Sequence, residues 1–261
     1  MHPLTYLFVP GDRPERFDKA ANAGAGAIIL DLEDAVLPDA KPRARDAVSE
    51  WLSRHGEHAS NAIVRIDGEA DLPFVADARV RTVMLPKTES TAQVANVVQA
   101  GAAVIALIET ARGVRSMDEI ADAPGIVRLA FGTIDYAVDI DVAGDELALL
   151  YPASRMVIAS RCAGLAAPIA GVTPAIDDEA QLRRDVAWER SVGFGAKLVI
   201  HPRQVHAVHE AMRPSDEDVA WAHRVVAAAQ ATQGAVQVDG RMVDRPVIRK
   251  AQAILERTSV R

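Results

Sequence analysis

The sequence is poor in several features that define whole classes of protein. Its single cysteine, Cys162, rules out an internal disulfide. The most apolar stretch, near residues 95–108, is interrupted by Gln99 and ends at Glu109, which makes it too short to span a bilayer. No basic region followed by an apolar stretch opens the chain, so we expect no secretory signal. These absences predict a protein of the reducing cytoplasm with no membrane partner.

A concentration of positive charge is also missing. The chain has 29 basic and 36 acidic residues, a formal net charge of −7, and the two signs are interspersed. Non-specific nucleic-acid binding needs a basic stripe, so we expect no nucleic-acid partner. An anionic small molecule stays compatible with this charge, because a few well-placed arginines are enough to bind it.

Short apolar runs alternate with longer segments of helical period over most of the 261 residues. This rhythm is typical of repeated βα units. The strands are predicted near residues 5–9, 27–32, 62–66, 81–86, 103–108, 126–131, 164–170 and 197–201. Their apolar runs are continuous, which is expected when both faces of a parallel sheet are covered. Eight such units predict an α/β fold, a (β/α)₈ TIM barrel.

A doubly wound open sheet is the alternative fold for this pattern. It is disfavoured because no glycine-rich phosphate turn follows the first strand, so nothing supports a dinucleotide site. The predicted helices cover residues 13–23, 39–54, 70–78, 90–100, 111–122, 142–162 and 178–192, with another from about residue 203.

The C-terminal part of the chain departs from the βα rhythm. A helix is predicted over residues 214–233, and Asp239 and Gly240 then separate two short β-prone runs, which is a strong hairpin signal. A last helix follows the hairpin. We therefore divide the chain into a barrel, residues 1–213, and a C-terminal hairpin–helix extension, residues 214–261, which would act as a lid or an intersubunit arm.

Polar residues end nearly every predicted strand, and the strands of a parallel barrel open together on one face, where the active site is built. Glu109 and Asp135 follow the fifth and sixth strands. Neighbouring strands lie about 4.8 Å apart, so two carboxylates at their ends can share one ligand. Two carboxylates with no companion Cys or His favour a hard cation such as Mg²⁺. Alternatively, Glu109 caps a strand end and Asp135 N-caps the next helix.

Two basic residues end the third and fourth strands. Arg65 emerges from a core strand and could grip a carboxylate in bidentate fashion. Its alternative role is a structural ion pair with Asp67 or another nearby acid. Lys87 could form a Schiff base, as in some barrel aldolases, although a lysine beside carboxylates is more often their charged partner.

Two loops offer further polar groups. Glu33 and Asp34 follow the second strand, where they either hydrogen-bond waters on a metal ion or belong to a solvated loop. Arg13, Arg16 and Lys19 lie at a predicted helix start after the first strand. Helix starts and arginines both suit phosphates, and the alternative is a solvated amphipathic helix.

Two further residues have structural interpretations from their local sequence. Asp244 directly precedes Arg245 and Pro246, which is the position of an ordinary helix N-cap, and nothing local indicates catalysis. His201 and Pro202 end the last strand and start its helix, with proline at the first helical position, so His201 is interpreted as structural.

Taken together, these segments resemble the citrate lyase beta-subunit-like family of CoA-ester lyases, which also contains malyl-CoA and citramalyl-CoA lyases. The matching stretches are FVPGDRPERF at 8–17, ILDLEDAV at 29–36, VRID at 64–67, LPK at 85–87, LIET at 107–110, FGTID at 131–135, VIHP at 199–202 and GRMVDRP at 240–246. Each stretch is short, but they occur in order over nearly the whole chain, so the resemblance is specific as a set.

The resemblance implies a TIM barrel, usually trimeric or built from trimers, with Mg²⁺ as cofactor. It implies that Glu109 and Asp135 bind the metal and that Arg65 holds the keto-acid portion of the substrate. Backbone amides of the 131–135 turn, with Gly132 and Thr133, would face the same carboxylate.

The resemblance also assigns the more distant residues. The phosphates of coenzyme A would lie near Arg13, Arg16 and Lys19. Asp244 looks like the family's catalytic acid/base, delivered by the lid to the site of a neighbouring subunit, which reverses the N-cap interpretation.

The reaction implied is the reversible Claisen cleavage of a 3-hydroxy-3-carboxyacyl thioester, of malyl-, citramalyl- or citryl-CoA type, to a 2-keto acid and an acyl-CoA. The alternatives are a thioesterase on malyl-type esters, a metal-dependent aldolase on free hydroxy-keto acids, and a subunit of an acyl-carrier-protein-dependent lyase complex. Three departures leave the acyl group open: Asp67 stands where asparagine is common, and Ile134 and Ala170 stand where acids are frequent.

Overall fold

The computed structural model describes residues 2–59, 61–231 and 236–258. The chain forms two compact units, Met1–Ala211 and Met212–Arg261. The predicted end of the helix at 214–233 falls outside the described ranges. Within those ranges no helix is both long enough and apolar enough to cross a membrane.

The first unit is a closed barrel of eight parallel strands that follow one another in chain order. They are β1 (Thr5–Pro10), β2 (Ala27–Asp31), β3 (Ala62–Arg65), β4 (Thr82–Leu85), β5 (Ala103–Ile108), β6 (Ile126–Phe131), β7 (Ile169–Ala170) and β8 (Ala196–Val199). The barrel closes through β1, which pairs with β2 on one side and β8 on the other. The predicted TIM barrel is confirmed, and the open sheet is wrong.

The two-residue period of a strand decides which side chains fill the barrel. Ile29 on β2 and Leu107 on β5 belong to the buried cluster in its interior. Two positions further along the chain stand Asp31, the last residue of β2, and Glu109, the first residue after β5. Each of these residues is on the same side of its strand as the interior side chain before it, but beyond the last apolar layer. The carboxylates of Asp31 and Glu109 therefore face the mouth of the barrel.

Helices follow the strands of the barrel, as the βα rhythm predicts. They are α1 (Phe17–Ala21), α2 (Lys41–His55), α3 (Leu72–Asp77), α4 (Thr91–Gln99), α5 (Ala111–Arg115), α6 (Met117–Asp122), α7 (Thr133–Asp139), α8 (Glu146–Cys162), α9 (Glu179–Val192) and α10 (Pro202–Met212). Strand residues of the other row, such as Leu30 and Val64, are fully buried. Burial on both faces explains why the strands read as continuous apolar runs.

The seventh strand is much shorter than predicted. The sequence predicts a strand over 164–170, but β7 holds two residues. Gly164 has a φ of +71°, and Pro168 has no amide hydrogen to give to a ladder. The chain therefore joins the sheet only at Ile169, which pairs with Ala130 and Ala196 of the neighbouring strands.

The helix after the sixth strand is an element that periodicity does not predict. The sequence predicts one helix over 142–162, whereas α8 begins at Glu146 and the separate α7 precedes it. Asp141 and Gly144 have φ values of +55° and +74°, so the backbone reverses between the two helices. The seven residues of α7 are too few to show an apolar period.

The second unit consists of α11 (Asp216–Ala231), β9 (Val236–Val238), β10 (Arg241–Val243) and α12 (Arg245–Thr258). The two strands form the predicted antiparallel hairpin. Asp239 and Gly240 have φ values of +51° and +76°, as a type I′ turn requires. A cluster that includes Val225, Val243 and Ile254 forms its own buried core.

Candidate active site

A cavity of about 330 Å³ opens at the C-terminal ends of the barrel strands. Arg65, Glu109 and Asp135 line it together, although they follow three different strands. The other lining residues are Asp31, Asp34, Gly132 and Thr133, and the apolar residues Phe8, Pro10, Ala35, Leu107, Phe131, Ile134, Val172, Leu198 and Ile200. Barrel closure thus brings together most of the site residues that the sequence predicts.

Glu109 is a buried carboxyl group at the wall of this cavity, with 1% of its surface exposed. Its Oε1 accepts a hydrogen bond of 2.8 Å from the backbone amide of Lys87. Burial raises the pKa of Glu109 to about 8, and the charges of Glu33 and Asp135 act in the same direction. A nearby cation favours the ionised form, so this carboxyl group is electrostatically suited to a positively charged ligand.

The donor atoms around Glu109 fit a hard cation. Glu109 and Asp135 line the cavity together with Asp31 and Asp34, and no cysteine or histidine is among its lining residues. Among the described residues, no group of three or more His, Cys, Asp or Glu side chains is placed to hold a metal ion. Mg²⁺ commonly takes one or two carboxylates and completes its shell with water and substrate oxygens. The residues present therefore fit magnesium that is bound jointly with a substrate.

Asp135 is the third residue of α7, not its N-cap. The N-cap is Gly132, which makes no side-chain capping bond. The N-cap interpretation of Asp135 is therefore wrong, because a residue inside the first turn cannot cap that turn. Its side chain is left to face the cavity that it lines.

Gly132 makes room for the carboxylate of Glu109. A Cβ atom at position 132 would meet Oε2 of Glu109 and would lie 2.5 Å from its Cβ. Real Cβ atoms do not approach this closely, so only glycine lets β6 end beside Glu109 in the observed position. Its amide also donates a hydrogen bond of 3.0 Å to the carbonyl oxygen of Ile108, which fixes the turn.

We expect Gly132→Ala to weaken Mg²⁺ binding about tenfold or more, since the added methyl group displaces the Glu109 carboxylate and a shift of a ligand loosens a metal site. Calorimetric titration with MgCl₂ measures the effect. Gly101→Ala is the control, because Gly101 has a left-handed φ of +96° and nothing within 4 Å of the added carbon. It should lower the melting temperature yet leave magnesium affinity intact; equal magnesium affinity in both variants would contradict the steric argument.

Arg65 is held in place by carboxylates on the preceding strand and loop. Its Nε and Nη2 atoms donate to the two oxygens of Asp31, at 2.7 and 2.6 Å, and its Nη1 lies 2.7 Å from Glu33. Its guanidinium carbon also sits 4.9 Å from the centre of the Phe8 ring. Burial opposes the charge of Arg65, but these carboxylates outweigh burial and raise its pKa above the usual value.

The predicted ion pair of Arg65 with Asp67 or another nearby acid is confirmed, but Asp67 is not one of its partners. Asp67 pairs with Lys41, so the acids beside Arg65 are Asp31 and Glu33. A guanidinium has five N–H groups. The hydrogen bonds to Asp31 use two of them, Nη1 forms an ion pair with Glu33, and Arg65 still lines the cavity. Arg65 is therefore both anchored and able to donate to a ligand.

Lys87 acts as the charged partner of the carboxylates, as the sequence favours over a Schiff base. Its Nζ lies 2.5 Å from Oε1 of Glu33. Burial opposes the charge of Lys87, but hydrogen bonding to Glu33 outweighs it and raises the pKa of Lys87. Burial raises the pKa of Glu33, although the positive charges of Arg65 and Lys87 act to lower it. Glu33 thus bridges two cations behind the cavity, whereas Asp34 is exposed and lines the cavity itself.

The basic first loop is less helical than predicted. A short 3₁₀ turn covers Pro14–Arg16, and α1 begins only at Phe17. The side chains of Arg13, Arg16 and Lys19 are exposed. The loop therefore presents cations to solvent without the long helix whose N-terminus the sequence predicts.

Asp244 occupies the helix-capping position that its local sequence indicates. Its Oδ1 accepts a bond of 3.3 Å from the amide of Val247, and its carbonyl accepts from Ile248. The side chain is half-buried in the second unit. His201 is structural as interpreted, since its Nδ1 accepts a hydrogen bond of 3.2 Å from the amide of Arg203 at the start of α10.

Sequence reasoning missed two features of this cavity. It gave no role to Asp31, which holds Arg65 by two hydrogen bonds. It also missed the apolar wall, to which Phe8, Val172 and Leu198 belong. The two-residue period could have found Asp31 and Phe8, because each continues an interior row of its strand. Val172 lies beyond a strand too short to have a visible period.

Comparisons with known proteins bear on what this cavity does. Residues 4–202 match the family described as HpcH/HpaI aldolase/citrate lyase, and residues 154–260 match a C-C bond lyase family of the TIM-barrel fold. A citrate lyase subunit beta-like protein of Mycobacterium tuberculosis is 38% identical over 97% of this chain and 94% of its own length. A (3S)-malyl-CoA thioesterase of Cereibacter sphaeroides is 33% identical over 97% and 96% of the two chains.

The fold comparison leads to the same group of proteins. A crystal structure of the protein CitE of Mycobacterium tuberculosis, in complex with magnesium, acetoacetate and coenzyme A, superposes with a TM-score of 0.88. Its sequence is 37% identical, and the match covers 99% of this chain and 98% of that one. The likeness therefore includes both compact units and not the barrel alone.

Proposed function

This chain belongs to the HpcH/HpaI aldolase/citrate lyase family, and from the chemistry of its cavity we propose a magnesium-dependent lyase that cleaves a 3-hydroxy-3-carboxyacyl thioester of coenzyme A. The products would be a 2-keto acid and an acyl-CoA. The observation that carries the proposal is the joint placement of buried Glu109, Asp135 and anchored Arg65 in one cavity. Relatives whose names or structures involve malyl-CoA, acetoacetate, magnesium and coenzyme A support the substrate class.

The reaction exchanges a carbon–carbon bond for a carbonyl group. The 3-hydroxyl group loses its proton, the C2–C3 bond breaks, and its electron pair passes to the thioester as an enolate. C3 becomes the ketone carbon of the keto acid, and C2 must then take up a proton. Negative charge develops first on the hydroxyl oxygen and then on the thioester, so groups that stabilise negative charge lower both barriers.

Glu109 and Asp135 are the residues that would hold magnesium. The bound ion supplies Lewis-acid stabilisation of negative charge on the substrate oxygens, an effect worth several kcal/mol in such sites. Arg65 orients the substrate carboxylate, and its clamp by Asp31 keeps the guanidinium in one position. The amide of Thr133, in the turn that Gly132 shapes, would donate to the same carboxylate. Asp34 would hydrogen-bond water on the ion, and Glu33 bridges Arg65 and Lys87 behind it.

Proton transfer to C2 needs a residue that the cavity itself does not offer, since its carboxylates are assigned to the metal, to its water and to Arg65. We assign this step to Asp244 on the C-terminal hairpin–helix extension, residues 214–261. It would be delivered to the site of a neighbouring subunit, which requires a homo-oligomer, and the family resemblance favours a trimer. The lid would also exclude water from a hydrolysable thioester.

A thioesterase is the second candidate, because a relative 33% identical over nearly its whole length is named a (3S)-malyl-CoA thioesterase. In that case water attacks the thioester carbonyl in the same cavity. A free hydroxy-keto acid aldolase and a subunit that serves an acyl-carrier-protein-dependent complex are further alternatives. Only coenzyme A and carrier-protein substrates need the exposed cations Arg13, Arg16 and Lys19. The cytoplasm, where CoA esters are available, is the proposed compartment.

The purified chain should release a 2-keto acid from at least one of malyl-CoA, citramalyl-CoA and citryl-CoA, with MgCl₂ present and no partner protein. Released keto acid and free thiol, measured together, separate lyase from thioesterase, since only hydrolysis liberates the thiol.

The double variant Arg13→Ala/Arg16→Ala should raise KM for the CoA ester about tenfold or more, because contacts with phosphates at an exposed loop mainly affect binding. An unchanged KM would show that Arg13 and Arg16 do not bind the CoA phosphates. Cleavage of free hydroxy-keto acids in place of the CoA esters would point to the aldolase, and activity only with carrier protein would point to the complex.

A further inference from the structure

The wall of the cavity has two sectors of opposite character. Asp31, Arg65 and Glu109 come from β2, β3 and the end of β5, and they make one side charged. Phe8 and Leu198 come from β1 and β8. Because the barrel is closed, β8 and β1 are neighbours, so these apolar side chains form one continuous sector.

The apolar sector continues through β7 to the turn after β6. Val172 follows β7, and Ile134 follows β6, which pairs directly with β7. Ile134 is 50% exposed, so half of its aliphatic side chain is open to a ligand. Thr133, Ile134 and Val172 also line a second cavity beside the first, so Ile134 stands where the two cavities meet.

No cation of the described residues balances a negative charge in the apolar sector. Arg65 is the basic residue that lines the cavity, and it is bound by Asp31 and Glu33 on the charged side. Lys197 of β8 lies in the other row of its strand, where its Nζ is fully buried and bonded to Glu189 and to the carbonyl of Gly171. Phe8 lies under the Arg65 guanidinium, whereas Val172 and Ile134 lie further along the apolar sector. A ligand carboxylate placed against Val172 and Ile134 would lose its water without gaining a cationic partner.

We propose that the substituent on C3 of the substrate, beside the hydroxyl and carboxylate groups, is an alkyl group, and that Ile134 is a specificity-determining residue for it. The product is then a 2-keto acid with an aliphatic side chain, rather than glyoxylate or a dicarboxylic keto acid. This inference deepens the proposed function and rests on it. The charged sector would bind the carboxylate and hydroxyl groups that all the candidate thioesters share. The apolar sector would contact the C3 substituent, in which these thioesters differ.

Three thioesters that differ only at C3 test the inference: malyl-CoA with hydrogen, citramalyl-CoA with methyl and citryl-CoA with carboxymethyl. We expect kcat/KM for citramalyl-CoA to be about tenfold higher than for malyl-CoA, which is the gain that one buried methyl group allows. Its kcat/KM should exceed that for citryl-CoA by more than tenfold, because a carboxylate loses its hydration in the apolar sector. Ile134→Gln should reduce the preference for methyl over carboxymethyl by about tenfold, because an amide can hydrogen-bond a carboxylate and an aliphatic group cannot. A carboxymethyl substrate that is cleaved as well as the methyl substrate overturns the proposal.

Val138→Gln is the matched control. Val138 lies one turn further along α7, is 77% exposed, and lines the second cavity without reaching the first. It should leave the substrate ratios at their wild-type values. If both variants change the ratios equally, or if Ile134→Gln changes nothing, Ile134 does not determine specificity.

Direct binding separates failure of this inference from failure of the proposed function. In calorimetric titrations with MgCl₂ present, pyruvate and 2-oxobutanoate should bind more tightly than glyoxylate and oxaloacetate. If no thioester is cleaved but this order holds, the lyase assignment fails and the apolar specificity stands. If oxaloacetate binds most tightly, the apolar specificity fails whatever the thioester assay gives.

Discussion

Glu109→Gln is expected to reduce magnesium-dependent kcat/KM by about 10³-fold or more, since the loss of a metal ligand removes a contribution of several kcal/mol to charge stabilisation. Glutamine keeps the shape of glutamate and can still accept the hydrogen bond from the amide of Lys87. The variant therefore changes the charge of the site and little else. Asp135→Asn should give a loss of similar size, and calorimetry should show that both variants bind Mg²⁺ weakly.

The stability of Glu109→Gln provides an independent check. The pKa of Glu109 is raised from 4.5 to about 8 in the folded protein, so without metal the folded state holds a proton that the unfolded state releases. Stability in EDTA should therefore decline as pH rises from about 4.5 to 8, and glutamine should remove this decline. The exposed control Glu119→Gln should retain both activity and the pH dependence. Full wild-type activity in EDTA would refute the metal assignment.

Asp244→Asn is expected to lower kcat by about 10²–10⁴-fold, the usual contribution of a placed acid or base. Keto-acid affinity should stay within about twofold of wild type, because the residues proposed to bind the keto acid are all in the barrel. Asparagine is as good an N-cap as aspartate, so the start of α12 should keep its hydrogen bond to Val247. A loss of activity without a loss of melting temperature would thus identify a chemical role and not a capping role.

Asp239→Asn is the control for this variant. Asp239 lies in the same unit, in the turn of the hairpin, and pairs with the exposed Arg224. The substitution removes the same charge, and asparagine tolerates the left-handed turn, so activity should be unchanged. If Asp244→Asn is as active as Asp239→Asn, the proton donor is another residue. Mixing Asp244→Asn with Glu109→Gln subunits should restore some activity if Asp244 acts across subunits.

The sequence predicted the elements of the barrel well where the elements are long. Seven strands, of four to six residues each, lie within about two residues of their predicted bounds, because their apolar runs end at clear polar boundaries. The prediction failed at β7 and α7, which hold two and seven residues. Elements this short have no visible period, and Gly164, Pro168 and Gly144 set their bounds through backbone geometry instead.

The sequence by itself determined that Arg65 and Glu109 stand at strand ends of a barrel and that Asp135 follows the end of another, since the strand pattern and its polar boundaries are local properties. Only the tertiary structure decided that Asp31, and not Asp67, holds Arg65, that Gly132 makes room for Glu109, and that burial raises the pKa of Glu109. These facts depend on register between strands and on closure of the barrel. Both arise from contacts between residues far apart in the chain, which no local pattern encodes.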